Sequence, residues 1–385
     1  MPPRRRREKL AALLPATLDD DWFEARGIRR RTIETYEGDR DEEPIEALER
    51  VAYLQDRGLL PSRKTAAFLN AAEVLRDLPE GELDRRVAEG TVTELPGIGA
   101  STAEVIVQAA SGKVPDRIAT LEATTQIPLG AGAGIRSALK GDCHSHSTWS
   151  DGGAPVETMA RAAITLGHEY LVVTDHSPRL TVAHGLNRER LLAQLDEIAE
   201  LNERLAPFRI LTGIEVDILV DGALDQDPDL LEQLDVVVAS VHSKLKMDHD
   251  AMTERMVLAV ANPHVDILGH CTGRKVDGFG DDQREIRPRA TFDAEMVFAA
   301  CARFDTAVEI NCRPERQDPP PELLDLALAW DCKISIDTDA HSPGHLEFLS
   351  YGADKAAAHG IDPGRIVNTW PADDLLAWTR SHPTA

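Results

Sequence analysis

Residues 170–176 read Tyr170-Leu171-Val172-Val173-Thr174-Asp175-His176, a short apolar run that ends on an acid and a histidine. The same texture returns down the chain. Arg209–Ile214 leads to Glu215, Val236–Ser240 to His242, Ile267–Gly269 to His270, and Lys333–Ile336 to Asp339 and His341, with Ala307–Ile310 as a further strand candidate. Stretches with apolar residues at helical spacing lie between them: Pro155–Leu166, Arg188–Leu205, Met252–Ala261, Thr291–Phe304 and Pro321–Trp330. Alternating strands and helices of this length imply a parallel sheet. Their number over residues 140–385 favours closure into a barrel, whose functional groups gather at the C-terminal ends of the strands.

Those ends carry His, Asp and Glu. The first is Asp142-Cys143-His144-Ser145-His146, where i and i+2 share a face of an extended segment, so both imidazoles can grip one ion. Asp151 follows on a loop. Asp337-Thr338-Asp339-Ala340-His341 repeats the i, i+2 pair at the last strand. A lone strand-end histidine is ordinarily a packed residue. Six of the thirteen histidines at successive strand ends are different, because such an array needs a cation to neutralise it. Imidazole with carboxylate and no thiolate suits Zn, Mn or Fe. Nine ligands, His144, His146, Asp151, His176, Glu215, His242, His270, Asp339 and His341, are enough for two or three ions. The chemistry this implies is hydrolysis of a phosphate ester by metal-activated water. No serine nucleophile elbow, Cys–His pair or Walker loop competes.

At these residues the sequence resembles the polymerase-and-histidinol-phosphatase (PHP) domain, and within that family the PHP domain of bacterial family X DNA polymerases. The resemblance is carried by Asp142-x-His144-x-His146-Ser147, Thr174-Asp175-His176, Glu215, Ser240-x-His242-Ser243, Gly269-His270-x-Thr272-Gly273-Arg274, Glu309-Ile310-Asn311 and Thr338-Asp339-Ala340-His341-Ser342. It implies a distorted (β/α)7 barrel over residues 140–385 with a trinuclear Zn or Mn site. One ion would take His144, His146, Glu215 and Asp339. A second would share Glu215 and add His242 and His270, and a third would take Asp151, His176 and His341. The resemblance also casts Glu215 and Asp339 as catalytic. Asp142 and Asp175 would orient ligand imidazoles or cap strand ends. Arg274 and Arg316 would contact phosphate or form structural ion pairs. His184 would face substrate or solvent. Cys271, where the family usually has proline, reads as a packing residue.

Ahead of the barrel, residues 43–115 read as short helices around Leu95-Pro96-Gly97-Ile98-Gly99, and residues 116–139 as a linker ending in the Gly-rich Pro128–Gly134. The helical stretch resembles the small helix-hairpin-helix domain of family X polymerases. In that motif the backbone at Gly97 and Gly99 would meet a DNA phosphate; otherwise the glycines serve a tight turn. Ala100 and Glu104 stand where such hairpins often place lysine. Residues 113–141 leave no room for a polymerase domain, so polymerase activity is not expected. Residues 1–42 form a charge-rich extension with basic clusters at Arg4–Arg7 and Arg29–Arg31.

The net charge of −24 argues against nonspecific nucleic-acid binding over the whole surface. It is uneven: residues 1–140 hold 21 basic and 24 acidic side chains, and the rest 21 and 42. Five cysteines without paired spacing fit reduced thiols. No apolar run is long enough for a bilayer, and Met1–Leu14 lacks a signal peptide's apolar core, so no membrane partner and a cytoplasmic location are expected. Oligomeric state is not legible. Three functions follow: a DNA phosphodiesterase acting on DNA ends or nicks in repair, a phosphomonoesterase for a small metabolite such as histidinol phosphate, and a non-catalytic DNA-end or partner-binding module.

Overall fold

Seven short strands with apolar residues on both faces demand cover on both sides, and a parallel barrel wrapped by helices provides it. The computed structural model describes residues 43–278 and 283–382; the 1–42 extension lies outside them. The strands are β1 (Gly141–Asp142), β2 (Tyr170–Val173), β3 (Arg209–Asp217), β4 (Val236–Ser240), β5 (Ile267–Leu268), β8 (Ala307–Asn311) and β9 (Ile334–Asp337), in the sheet order β1-β2-β3-β4-β5-β8-β9. Every pair in that order is parallel. A parallel bridge between Ser145 and Ala340, with His146 N donating to Ala340 O at 2.8 Å, closes the ring beyond the ends of β1 and β9. The fold is the expected distorted (β/α)7 barrel.

Alternation along the strands sorts the core. Leu171, Val173 and Ile210 pack outward against Val156, Met159, Ile198 and Leu201 of the surrounding helices. Tyr170, Val172 and Leu211 point the other way, and join Val236, Val238 and Ile267 in a cluster plugged by Val367, Leu375 and Trp378. Two pieces went unforeseen. β1 has only two residues, too few to show a period. The antiparallel hairpin of β6 (Lys275–Asp277) and β7 (Arg284–Arg287) has a largely charged sequence.

The chain divides into two compact units between Ile127 and Pro128. In the helical unit, Glu43–Arg57, Ser62–Arg76, Glu82–Glu89 and Ala100–Ala110 share a core built on Leu48, Val51, Phe68 and Ile106. The expected boundary at 115 falls one helix short. Asp116–Thr124 adds Ile118 and Leu121 to that core, and Glu122 pairs with Arg50 and Arg57. The Gly-rich end of the expected linker is also structured. Gly130 N and Gly132 N donate to the Asp354 carboxylate, and a Cβ at Gly132 would lie 2.3 Å from the Ala353 backbone. Glycine there permits close docking on the barrel unit.

Lys355, on helix Leu349–Ala358, donates to the carbonyls of Gln317 and Pro319 and braces the loop after β8. Burial pulls its amine down to about 8 from an ordinary 10.5. Between those values the unfolded chain carries a proton there that the folded protein lacks, so this group adds stability as pH rises through the window. Lys355→Met should remove that gain, on the order of 1 kcal/mol after allowing for partial solvation, between pH 8 and pH 10. Denaturant unfolding at the two pH values measures it; parallel slopes for both proteins would contradict the assignment.

Candidate metal centre

Glu215 sits near the end of β3 with almost no exposure, and five imidazoles surround its carboxylate. Its Oε2 lies 2.9 Å from His176 Nδ1, 3.4 Å from His144 Nε2 and 3.6 Å from His146 Nε2. Its Oε1 lies 2.8 Å from His270 Nε2 and 3.1 Å from His242 Nε2. Asp339 Oδ1 is 3.3 Å from His146 Nε2 and 4.0 Å from His144 Nε2. Asp151 Oδ1 is 3.4 Å from His341 Nε2, 3.5 Å from His176 Nε2 and 4.0 Å from His146 Nδ1. All nine residues singled out in the sequence therefore meet at one end of the barrel.

Three groups of possible ligands lie close together, and they differ from the expected sets: Asp339 and His270 fall outside them, His146 is added to the outer set of Asp151, His176 and His341, and His176 joins Glu215 and His242. His144, His146 and Glu215 lie within coordinating reach of one another. His146 and His176 thus sit between neighbouring groups, which the i, i+2 pattern alone did not show.

Most of these contacts lack hydrogen-bond geometry. His144 Nε2, both nitrogens of His146 and His242, His176 Nδ1, His270 Nδ1 and Glu215 Oε2 are buried without a hydrogen-bond partner. Buried polar atoms of this kind are costly unless something satisfies them. Lone pairs converging from imidazoles and carboxylates, with no thiolate among them, fit Zn, Mn or Fe. The residues that could hold such ions are His144, His146 and Glu215; His176, Glu215 and His242; and His146, Asp151, His176 and His341.

Electrostatics agree with the crowding. Burial alone would push the Glu215 carboxyl up, but His242, His144 and His176 outweigh it and hold it well below the usual range. Asp339 is likewise held low, against burial, by His144 and Arg316. Burial and the neighbouring His341 and His176 push His146 down to about 3. His242 rises to about 9 despite burial, because Glu215 and Asp217 face it.

The supporting residues correct several expectations. Asp142 and Asp175 do not touch the imidazoles. Asp142 accepts from the backbone of His144 and Thr338 and from the Thr338 hydroxyl, tying β1 to β9. Asp175 accepts from Ser147, Ser150 and Gln194, and so shapes the loop that presents Asp151. The orienting role falls to Glu309, whose Oε1 lies 2.6 Å from His144 Nδ1. With that nitrogen donating, Nε2 is left bare toward Glu215. The motif Glu309-Ile310-Asn311 was the available signal. Arg274 is not a phosphate contact: it is buried, and its Nε and Nη2 donate to the carbonyls of Arg316 and Gln317. Arg316 is at the site, with Nε 3.1 Å from Asp339 Oδ2. Sequence reasoning missed Arg313, which donates to Asp339 O at 3.0 Å and lies 2.8 Å from His341 Nδ1. Cys271 is buried as expected, its thiol 3.8 Å from Asp318 Oδ1. His184 is exposed and lines an open cavity of about 610 Å³ with Thr148, Ser150, Thr181 and Arg190. Asp339 itself has φ +52 and His270 φ +20, uncommon for non-glycine residues and frequent at functional sites.

In the helical unit, Gly97 has φ +77, so its turn favours glycine. Gly99 has φ −94, and a Cβ there would meet nothing within 4 Å. Its N–H is held by Thr102 Oγ1 at 2.9 Å at the start of helix Ala100–Ala110.

Residues 142–308 match the family model described as "PHP domain". The Bacillus subtilis protein named "DNA polymerase/3'-5' exonuclease PolX" is 37% identical over 242 residues, 63% of this chain and 41% of that protein. This chain thus spans well under half of that relative's length. A "Probable phosphatase" of Thermoanaerobacter sp. is 29% identical over 213 residues, 52% of this chain and 78% of that protein. The crystal structure of a Lactococcus lactis histidinol phosphate phosphatase, complexed with Zn, L-histidinol and phosphate, covers 58% of this chain and 95% of its own at 20% identity. Its TM-score is 0.40.

Glu309→Ala should lower divalent-metal affinity about 10- to 100-fold while leaving a folded barrel, since it frees the His144 ring. Metal content after dialysis, set beside the thermal transition, reports this; full retention of metal would remove Glu309 from the site.

Proposed function

From the match of residues 142–308 to the PHP domain, we propose a metal-dependent phosphoester hydrolase whose substrate is a DNA phosphodiester at an end or a nick, cut as a 3′–5′ exonuclease, a 3′-end processor or an abasic-site nuclease in repair. The observation that carries the DNA reading is the glycine turn of the helical unit. Neither dihedral strain nor interior space calls for glycine at Gly99, whereas close approach of a phosphate to the backbone does. Identity to the exonuclease relative over 63% of the chain supports the same reading.

Divalent ions in such a centre supply Lewis acidity to a phosphoryl group and acidify water. The remaining work belongs to the protein. Glu215 and Asp339 keep concentrated negative charge at the barrel mouth. Glu309 fixes the ring of His144, and Asp217 accepts from the His242 backbone N–H and lies 3.5 Å from its Nδ1. Arg316 offers its guanidinium beside Asp339, where it can meet a phosphoryl oxygen. In the reaction, water oxygen bonds to phosphorus, the phosphorus–oxygen bond to the leaving strand breaks, and the departing oxygen takes a proton.

A small phosphomonoester is the second reading. The 42 acidic against 21 basic side chains after residue 140 favour it, because such a surface repels a polyanion away from the site. Similarity to the probable phosphatase fits it too.

A paired assay separates the two. Metal-loaded protein is given a labelled nicked or recessed duplex in one arm and histidinol phosphate in the other, with Mn²⁺, Zn²⁺ or chelator. Metal-dependent DNA cutting with little monoester turnover is expected, and its loss with bound metal in His144→Ala/His146→Ala should follow; fast monoester turnover on inert DNA selects the second reading. Gly99→Val should leave the thermal transition in place and weaken duplex binding about 10-fold, given that positioning contacts go to phosphate. Unchanged binding would return the turn to a purely structural role.

A further inference from the structure

The β6–β7 hairpin sits between the His270 strand end and the next helix, and its two strands carry Lys275, Arg284 and Arg287 beside Asp277 and Glu285. Lys275 and Arg287 are partners across the two strands, while Val276 between Lys275 and Asp277 turns inward and is buried. The hairpin is fastened to the loop that reaches the metal centre. Val276 N donates to Glu315 O at 2.8 Å, Gln283 Nε2 to Gln317 Oε1 at 2.7 Å, and Arg274 to the carbonyls of Arg316 and Gln317. Arg287 Nε and Nη2 hold the Gly273 carbonyl at 2.9 and 2.6 Å. Arg316, on the same loop, touches Asp339.

Three cations are thereby gathered at one edge of the centre. Among the described residues Lys275 has no ion pair and no side-chain hydrogen bond. Of the nearby acids, Glu315 pairs with Arg313 through Oε1 while its Oε2 is buried without a hydrogen-bond partner, and Asp318 is buried and holds Thr272. Burial pulls Lys275 below its ordinary value, with Arg316 and Arg287 adding to the effect and Glu315 opposing it, and burial with Arg316 does the same to Arg287 against Asp318. Mutual repulsion of this kind costs stability unless an anion relieves it. It also stands out in a half-chain whose acids outnumber its bases two to one.

We propose that Lys275, Arg287 and Arg316 form a phosphate shelf that takes the phosphate next to the scissile one on a nucleic-acid strand. The inference rests on the phosphodiesterase reading and names what that site recognises. A phosphomonoester with a single phosphate has no group for the shelf. A strand places its next phosphate one nucleotide away, and Arg316 links the two positions: its Nε touches Asp339, and the hairpin hydrogen-bonds to the residues on either side of it, Glu315 and Gln317.

The test uses the full chain loaded with Mn²⁺ and two substrates. Hexathymidylate has neighbouring phosphates; thymidine 5′-p-nitrophenyl phosphate has a diester and none. Lys275→Gln should raise KM for the hexamer about five-fold, with a larger rise for Lys275→Glu, and should flatten the salt dependence by about 0.7 in slope, as loss of one single-strand phosphate contact requires. The effect should appear in KM rather than kcat, and should be much smaller on the p-nitrophenyl ester. Equal losses on both substrates, or an unchanged hexamer KM and slope, would overturn the shelf. If the wild-type protein leaves the hexamer uncut, anisotropy of a labelled hexamer with the chelated full chain over a salt series decides. Binding weakened and flattened in the Lys275 variants keeps the shelf and removes the phosphodiesterase reading; binding unchanged by them removes the shelf.

Discussion

A buried carboxylate ringed by five imidazoles is the constraint on which the barrel mouth depends. Glu215 can exist there as an anion only because positive charge surrounds it, whether protons on the rings or divalent ions among them. An uncompensated charge at that depth would cost several kcal/mol. The strands are consequently arranged so that each delivers a ligand to the same point, and the supporting acids, Glu309, Asp217, Asp142 and Asp175, each fix a ring or a backbone segment around it. The positive φ of Asp339 and His270 belongs to this arrangement: chain leaving a strand turns abruptly so that the side chain faces inward.

Much of the site was legible in the sequence because a barrel converts a linear pattern into a spatial one. A strand end has one place to go, so His176, Glu215, His242, His270 and Asp339 could be gathered without knowing the helices between them. The i, i+2 spacing of His144 and His146 carried the same information. Roles that depend on direction rather than position were not legible. Arg274 and Arg316 look alike as residue types beside motifs, yet one guanidinium turns into the protein to hold carbonyls and the other turns toward Asp339. Asp142 and Asp175 precede ligands in the chain, but their oxygens face backbone amides and hydroxyls. Glu309, buried inside an apolar strand, held a ring that sequence reasoning had given to others.

The fold was legible to a similar depth. Helical and strand periods located most elements to within a few residues, since burial on one or both faces writes itself into composition. The hairpin did not, because Arg284-Glu285-Ile286-Arg287 is largely exposed and owes its strand form to pairing and to the loop beneath it. The stretch after the helical unit looked like a connector for a related reason. Glycine signals flexibility as readily as close packing, and only the Ala353 backbone beneath Gly132 decides between them.

The ring closes where β1 and β9 run on to the Ser145–Ala340 bridge. That junction is the seam at which the two ends of the barrel sequence meet, with His144 and His146 on one lip and Asp339 and His341 on the other. An ion shared across it would act as a clasp. Partial opening of the barrel should begin by parting these lips, so the ion's departure and the first fraying of the sheet become one event. The rate at which the protein gives up its metal is then a gauge of how often the seam breathes, and amide exchange at His146 and Cys143, whose N–H groups bond across it to Ala340 and Asp337, should slow in step with metal occupancy.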